Sequence, residues 1–263
     1  MGGKEDYIAV FDSGVGGLSV LRQLRRCLPG EKFLYFGDSA NAPYGTRAVE
    51  EVRALTFAAV ERLLPRGLKA LVVACNTATS AAIRQLREMY PDLIVIGIEP
   101  ALKLAAERFP GGRVGVMATP MTLREEKFRE LLDTWSKVCT FRLLPAPDLV
   151  ELVEAGKGNS AEAEDLIRRL LGKDAGRLDG VVLGCTHYPF AAGAISRVLG
   201  ENVPLLDGGE GTARETKRRL AEENLLENGP GELILENSLP SEEILTLSRK
   251  LLGVSRQRIA GSG

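Results

Sequence analysis

Short apolar runs alternate with longer, charged, helix-spaced segments along this chain, and that alternation leaves few folds open. The runs are Tyr7–Phe11, Phe33–Phe36, Ala70–Ala74, Leu93–Ile98, Val114–Met117, Val138–Leu144, Val181–Leu183 and Val203–Leu206. Between them stand segments such as Arg47–Leu64, Thr122–Trp135 and Ala161–Leu171, with apolar residues at helical spacing. A strand covered on both faces reads as a continuous apolar run, and strands joined through helices run parallel. The chain is therefore expected to be α/β, its mostly parallel sheets flanked by helices. A late run, Glu232–Glu236, is expected to add an edge strand before a last helix at Ser241–Leu252. The ends, Met1–Asp6 and Ser255–Gly263, read as frayed.

At 263 residues with 44% apolar content, the chain can build one large core or two small ones. Its formal net charge of −1 gives no reason to expect nucleic acid or an anionic membrane as partner. No apolar run is long enough to span a bilayer, and the opening residues do not read as a signal peptide. The short segment before the first strand leaves little room for a regulatory extension. Cysteines at 27, 75, 139 and 185 show no metal-binding spacing, so no metal is expected and a reducing, cytoplasmic setting is the simpler reading. Cys27 and Cys139 lack any motif and read as structural.

Cys75 and Cys185 are different. Each ends an apolar run and precedes helix-opening sequence, in Ala74-Cys75-Asn76-Thr77 and Gly184-Cys185-Thr186-His187. His187 is the only histidine in the chain. A weak internal repeat goes with this. Ile8–Ser13 resembles Val114–Thr119 in pattern, and Val72, Cys75, Ala81 and Ala82 match Val182, Cys185, Ala191 and Ala192 at a constant offset. If real, it places two similar α/β halves face to face, with their strand ends lining one cleft. A cysteine at a helix N-terminus is expected to have a lowered pKa, and His187 could tune Cys185. Asn76, Thr77 and Thr186 supply short polar groups nearby.

The first loop, Asp12-Ser13-Gly14-Val15-Gly16-Gly17, follows a strand and opens a helix. Its spacing is neither GxGxxG nor a Walker motif, so a small carboxylate suits it better than a nucleotide. Asp12 is left for chemistry or orientation, or simply as a cap. Asn41-Ala42-Pro43-Tyr44-Gly45 is a turn by composition.

Together these motifs, with Thr119 and Thr122 and the Leu149–Glu154 stretch, resemble glutamate racemases of the aspartate/glutamate racemase family. The resemblance covers almost the whole chain. It implies two pseudo-symmetric domains, 1–98 plus 207–263 and 99–206, with the active site in the cleft between them. It implies cofactor-independent interconversion of L- and D-glutamate, supplying D-glutamate for peptidoglycan. By motif, Cys75 takes the α-proton of D-glutamate and Cys185 that of L-glutamate. Asp12 assists the first thiol and His187 the second, with Glu154 an acidic group near the second. Ser13, Pro43, Tyr44, Gly45, Asn76, Thr77, Thr119, Thr122 and Thr186 match substrate contacts. The reading allows a homodimer as the partner. The chain departs from the family pattern at Ala146, at Gly208-Gly209 after Asp207, and at Arg124-Glu125-Glu126.

The chemistry is consistent with this resemblance. The α-hydrogen of an amino acid is weakly acidic, and many enzymes spread the carbanion into pyridoxal phosphate held by a lysine. No lysine stands in these motifs, and Lys69 lies at the wrong end of its strand. A thiolate and a thiol on two faces, with the carboxylate held by hydrogen bonds, offer another route. An aspartate racemase or related two-cysteine isomerase is the alternative within the fold. A thiol redox protein or a carboxylate-binding module are alternatives outside it.

Overall fold

The structure, a computed structural model, describes residues 2–239 and 241–254. Nine strands form where the apolar runs lie: β1 (Tyr7–Asp12), β2 (Lys32–Gly37), β3 (Leu68–Val73), β4 (Ile94–Gly97), β5 (Arg113–Ala118), β6 (Thr140–Pro145), β7 (Gly180–Leu183), β8 (Leu205–Asp207) and β9 (Glu232–Asn237). The helices are α1 (Leu18–Cys27), α2 (Val49–Leu63), α3 (Asn76–Met89), α4 (Leu102–Arg108), α5 (Pro120–Arg124), α6 (Glu126–Trp135), α7 (Asp148–Glu154), α8 (Ala161–Leu171), α9 (Ala192–Leu199), α10 (Gly209–Glu222) and α11 (Glu242–Leu252).

The strands make two sheets, ordered β4-β3-β1-β2-β9 and β6-β5-β7-β8. All pairings in both are parallel. Read backwards, the second order is β8-β7-β5-β6, which repeats β4-β3-β1-β2 strand for strand. The register repeats too: Val10 lies opposite Val72 in the first sheet, and Val116 opposite Val182 in the second. Beyond the strands, Ala74 N–H donates to Phe11 O and Gly184 N–H to Met117 O, each at 2.7 Å. The two cysteines therefore leave their sheets at equivalent points, one residue after matched hydrogen bonds. β9 is the addition that breaks the symmetry, as an edge strand beside β2.

Helices cover both sheets, as parallel strands with two apolar faces require. α1 buries Leu18, Val20, Leu21 and Leu24, and packs against α10 and α11. The late helices thus return to the first sheet.

Three sequence expectations need correction. The helix expected over Thr122–Trp135 is two, because Glu125 adopts an extended conformation (φ −64°, ψ 140°) between α5 and α6. α5 packs on α3 and the Tyr44–Thr46 turn, whereas α6 packs on α4, so the chain must change direction there. No α-helix opens directly after Cys185: a 3-10 turn, Tyr188–Ala191, intervenes before α9. The expected fraying of Met1–Asp6 is not seen over Gly2–Asp6. Asp6 N–H donates to Gly3 O at 3.1 Å, and the Lys69 ammonium donates to Lys4 O. Met1 and residues 255–263 lie outside the described residues.

Candidate active site

In open α/β sheets ligands bind beyond the carboxyl ends of the strands. Here two such ends face one cavity. Ser13 after β1 and Cys75, Asn76 and Thr77 after β3 form one wall. Thr119 after β5 and Cys185, Thr186 and His187 after β7 form the other. Pro43, Tyr44, Gly45 and Thr46 close one side, and Pro147 and Val150 also line it. The cavity volume is about 20 Å³, room for about one water. As it stands the space is smaller than an amino acid. A larger space of about 230 Å³ lies beyond Asn76, lined by Thr79, Ser80, Glu99, Lys127 and Phe128 among others, but neither thiol reaches it.

On the first wall, Cys75 caps α3, its Sγ accepting from Ala78 N–H at 3.4 Å, and Ser13 Oγ lies 3.5 Å from the same sulfur. The sequence argument expects a lowered pKa, and the structure reverses it. Burial first, and the charge of Asp12 second, outweigh the cap and the serine, and the thiol is pushed up to about 12.

On the second wall, Cys185 Sγ lies 3.6 Å from His187 Nδ1, and His187 Nε2 lies 2.6 Å from Glu154 Oε1. Burial opposes a charge on His187. The hydrogen bonds to Cys185 and Glu154 outweigh it and hold the imidazole well above its ordinary value. The protonated ring can then donate from both nitrogens, to the sulfur and to the carboxylate.

Asp12 is fully buried, and burial holds its carboxyl above the usual range despite the opposing charge of His187 and the Thr186 hydrogen bond. Its Oδ1 accepts from Gly14 N–H at 2.9 Å and its Oδ2 from the Thr186 hydroxyl at 3.0 Å. It is thus both a turn-former and a link between the walls. Thr77, Thr119 and Thr122 share a hydroxyl cluster with separations of 3.0, 3.2 and 3.3 Å. Thr122 stands behind Thr119 rather than on the cavity. Asn76 is buried, and among the described residues its Oδ1 has no partner. Lys69 is far from this chemistry in role: its ammonium is paired with Glu31 at 2.5 Å, and both side chains are fully buried.

The glycine loop works differently from its sequence reading. A Cβ on Gly14 would lie 1.9 Å from Glu154 Oε1, and one on Gly16 would lie 2.4 Å from His187 Nδ1. These glycines make room for side chains of the opposite wall. The carboxylate that the loop holds is the chain's own, since Val15 N–H donates to Glu154 Oε1 at 2.7 Å.

Sequence reasoning did not find Asp38, Tyr35, Thr46 or Val150. Asp38, at the end of β2, accepts from the Tyr44 hydroxyl at 2.6 Å and from Asn41 Nδ2, setting the Pro43–Thr46 turn. The Tyr35 hydroxyl donates to Gly14 O at 2.6 Å. Only the strand-end position of Asp38 carries a signal in the sequence. Among the described residues, no three His, Cys, Asp or Glu side chains gather as a metal site.

Two parallel sheets of matched strand order each carry a thiol at the same point, and both thiols line one cavity, which makes this a two-fold α/β framework with paired cysteines. A family model described as Asp/Glu/Hydantoin racemase matches residues 8–216, and the chain belongs to that family of isomerases. It is 50% identical over 251 residues to the glutamate racemase of Clostridium novyi (strain NT), covering 94% of this chain and 97% of that one. Its structure is similar to that of Thermus thermophilus glutamate racemase in complex with beta-chloro-D-alanine: TM-score 0.82, 39% identity, 98% of each chain. It is similar also to Escherichia coli glutamate racemase in complex with L-glutamate and the activator UDP-MurNAc-ala: TM-score 0.82, 32% identity, 94% of this chain and 95% of that one.

Proposed function

We propose that this chain interconverts L- and D-glutamate by passing the α-proton between Cys75 and Cys185, without a cofactor. The observation that carries the reading is that both thiols, at equivalent strand ends of two matched sheets, line one cavity. Glutamate as substrate is supported by the relatives, among them the E. coli enzyme whose structure holds L-glutamate. The role follows as supply of D-glutamate for peptidoglycan in the cytoplasm. Among the described residues no helix is long and apolar enough to cross a membrane. The domains are 1–98 plus 207–263 and 99–206, a division supported by which sheet each strand joins, with β8 running one residue past the boundary to Asp207.

In the L-to-D direction Cys75, held as a thiol, is the acid, and His187 stands against Cys185. Cys185, acting as the base in its thiolate form, takes the α-proton and becomes a thiol. The pair of electrons left on the α-carbon spreads into the α-carboxylate, where hydroxyls and N–H groups of the site meet the growing charge. Cys75 gives its proton to the other face and becomes the thiolate, so D-glutamate leaves an enzyme of inverted protonation. Closure of the walls keeps water from the carbanion.

The test is racemisation of L-glutamate in heavy water with a chelator and a reductant present. Each D-glutamate formed should carry deuterium at the α-carbon, and Cys75→Ala and Cys185→Ala should each abolish turnover in both directions. Activity lost to chelator and restored by metal, or a near wild-type alanine variant, overturns the proposal. A clear preference for aspartate moves the assignment to an aspartate racemase.

A further inference from the structure

One oxygen of Glu154 serves both walls. Oε1 accepts from Val15 N–H of the first wall at 2.7 Å and lies 2.6 Å from His187 Nε2 of the second. Glu154 is the last residue of α7, its side chain is 18% exposed, and among the described residues its one ion-pair partner is His187. Apart from His187 itself, the group among the described residues that fixes its carboxylate is the Val15 amide. Gly14 lets the amide come this close. Its φ lies outside the left-handed region, so the backbone does not require glycine. Space does, since a Cβ would lie 1.9 Å from Oε1 and 2.8 Å from the carboxylate carbon. From behind, the buried Tyr35 hydroxyl holds Gly14 O and fixes the loop from the first sheet.

We propose that Gly14 and the Val15 amide are positioning elements for the Cys185 side: docking of their loop fixes Glu154, and through it His187, in line with Cys185. This rests on the racemase reading above. It follows that the second thiol has its complete acid/base partner only when the walls are closed. The halves can meet with the first thiol already capped by its own helix, whereas the second is finished by the opposing wall.

His187 is the only histidine of the chain, so its titration can be read directly in the intact protein by NMR of the imidazole. The groups that face it are Cys185, Glu154 and, through its charge, Asp12. Gly14→Ala displaces Glu154. Glu154→Asp keeps the charge, but is one methylene too short to serve Val15 N–H and His187 together. Gly211→Ala, in α10, is the control, because a Cβ there meets nothing within 4 Å.

In both test variants the His187 midpoint should fall by about one unit or more, the size of effect expected when a close opposite charge is displaced. The alkaline limb of the kcat profile should move with it, and kcat should fall by about 10²-fold, as for a small misplacement of a reacting group. Gly211→Ala should match wild type in every readout. A His187 midpoint unchanged in folded Gly14→Ala overturns the proposal. If circular dichroism shows that variant unfolded, an unchanged midpoint in Glu154→Asp overturns it equally. The NMR midpoint does not depend on turnover, so a protein that failed to racemise glutamate would still decide this point separately.

Discussion

The Thr186 hydroxyl crosses the cleft to donate to Asp12 Oδ2 at 3.0 Å, joining the residue after one thiol to the carboxylate that ends β1. That carboxylate is fully buried, and among the described residues no lysine or arginine pairs with it. A folded pKa raised above the unfolded value means a stability contribution present below about pH 4 and lost as pH rises through the folded value. At neutral pH the charged form therefore opposes folding. Asp12→Asn keeps the shape and can keep the Gly14 bond at its oxygen, with the Thr186 bond reversed so that the amide NH2 donates to the hydroxyl. We expect it to be more stable at pH 7 by about 1 kcal/mol, a rise of about 2–4 °C in Tm, with the gain fading towards pH 4. Racemisation should fall by about 10²-fold or more. Thermal unfolding at the two pH values checks this, and a variant less stable at pH 7 contradicts it.

His187 carries the opposite sign. Its folded value is raised, so its contribution is fully present below the ordinary imidazole value of about 6.5 and is lost as pH climbs through the folded one. The stability gap between wild type and His187→Gln should be widest near pH 6 and shrink on the alkaline side. Because L- and D-glutamate have equal free energies, kcat/KM must be the same in both directions for any variant. An unequal effect of His187→Gln can appear only in kcat, with KM moving to compensate. Full progress curves from each isomer measure this directly.

Thr122 does not line the cavity, yet it anchors Thr119 and Thr77, which do. Thr122→Val keeps the volume and removes one hydroxyl from the cluster. The loss of about 1 kcal/mol of hydrogen bonding should raise KM for glutamate by about fivefold and leave kcat near wild type. A kcat-only effect would place Thr122 in the chemistry instead.

Lys69 and Glu31 form a fully buried ion pair away from the cleft. The Lys69 ammonium also donates to Leu225 O at 2.9 Å, and Glu31 Oε1 accepts from Glu227 N–H at 2.9 Å, so the pair ties the loop after α10 to β3. Lys69→Met leaves a buried carboxylate without its cation and should cost about 3–5 kcal/mol. Adding Glu31→Gln should recover much of that loss. Denaturant unfolding of the three variants makes the cycle, and kcat should stay near wild type in those that fold.

All nine strands could be read from the chain, because parallel strands with two covered faces leave an unbroken apolar signature. The two cysteines were legible for a different reason, a repeat that set them apart from ordinary strand ends, and His187 because it is the chain's one histidine, two residues after Cys185. What the sequence missed depends on distance along the chain. Glu125 breaks a helix without disturbing the apolar spacing around it. Asp38 reveals itself only when Tyr44 folds back onto it. Cys75 does stand at a helix start, as expected, but desolvation is a property of its surroundings and reverses the expected shift. The glycines of the first loop looked like a cradle for a ligand, and no local pattern could say that Glu154, 139 residues away from Val15, would occupy it.

The placement of β9 beside β2, with α10 and α11 on α1, has a bearing on how the chain is made. As it leaves the ribosome, the sheet that starts second has all four strands once Asp207 is synthesised. The sheet that starts first then still lacks its edge strand, and the apolar face of α1, with Leu18, Val20, Leu21 and Leu24, still awaits its cover. Domains generally fold as units, N-terminal first during synthesis. Here the order is inverted: the wall bearing Cys185 can be finished while the wall bearing Cys75 waits for the last helix to emerge.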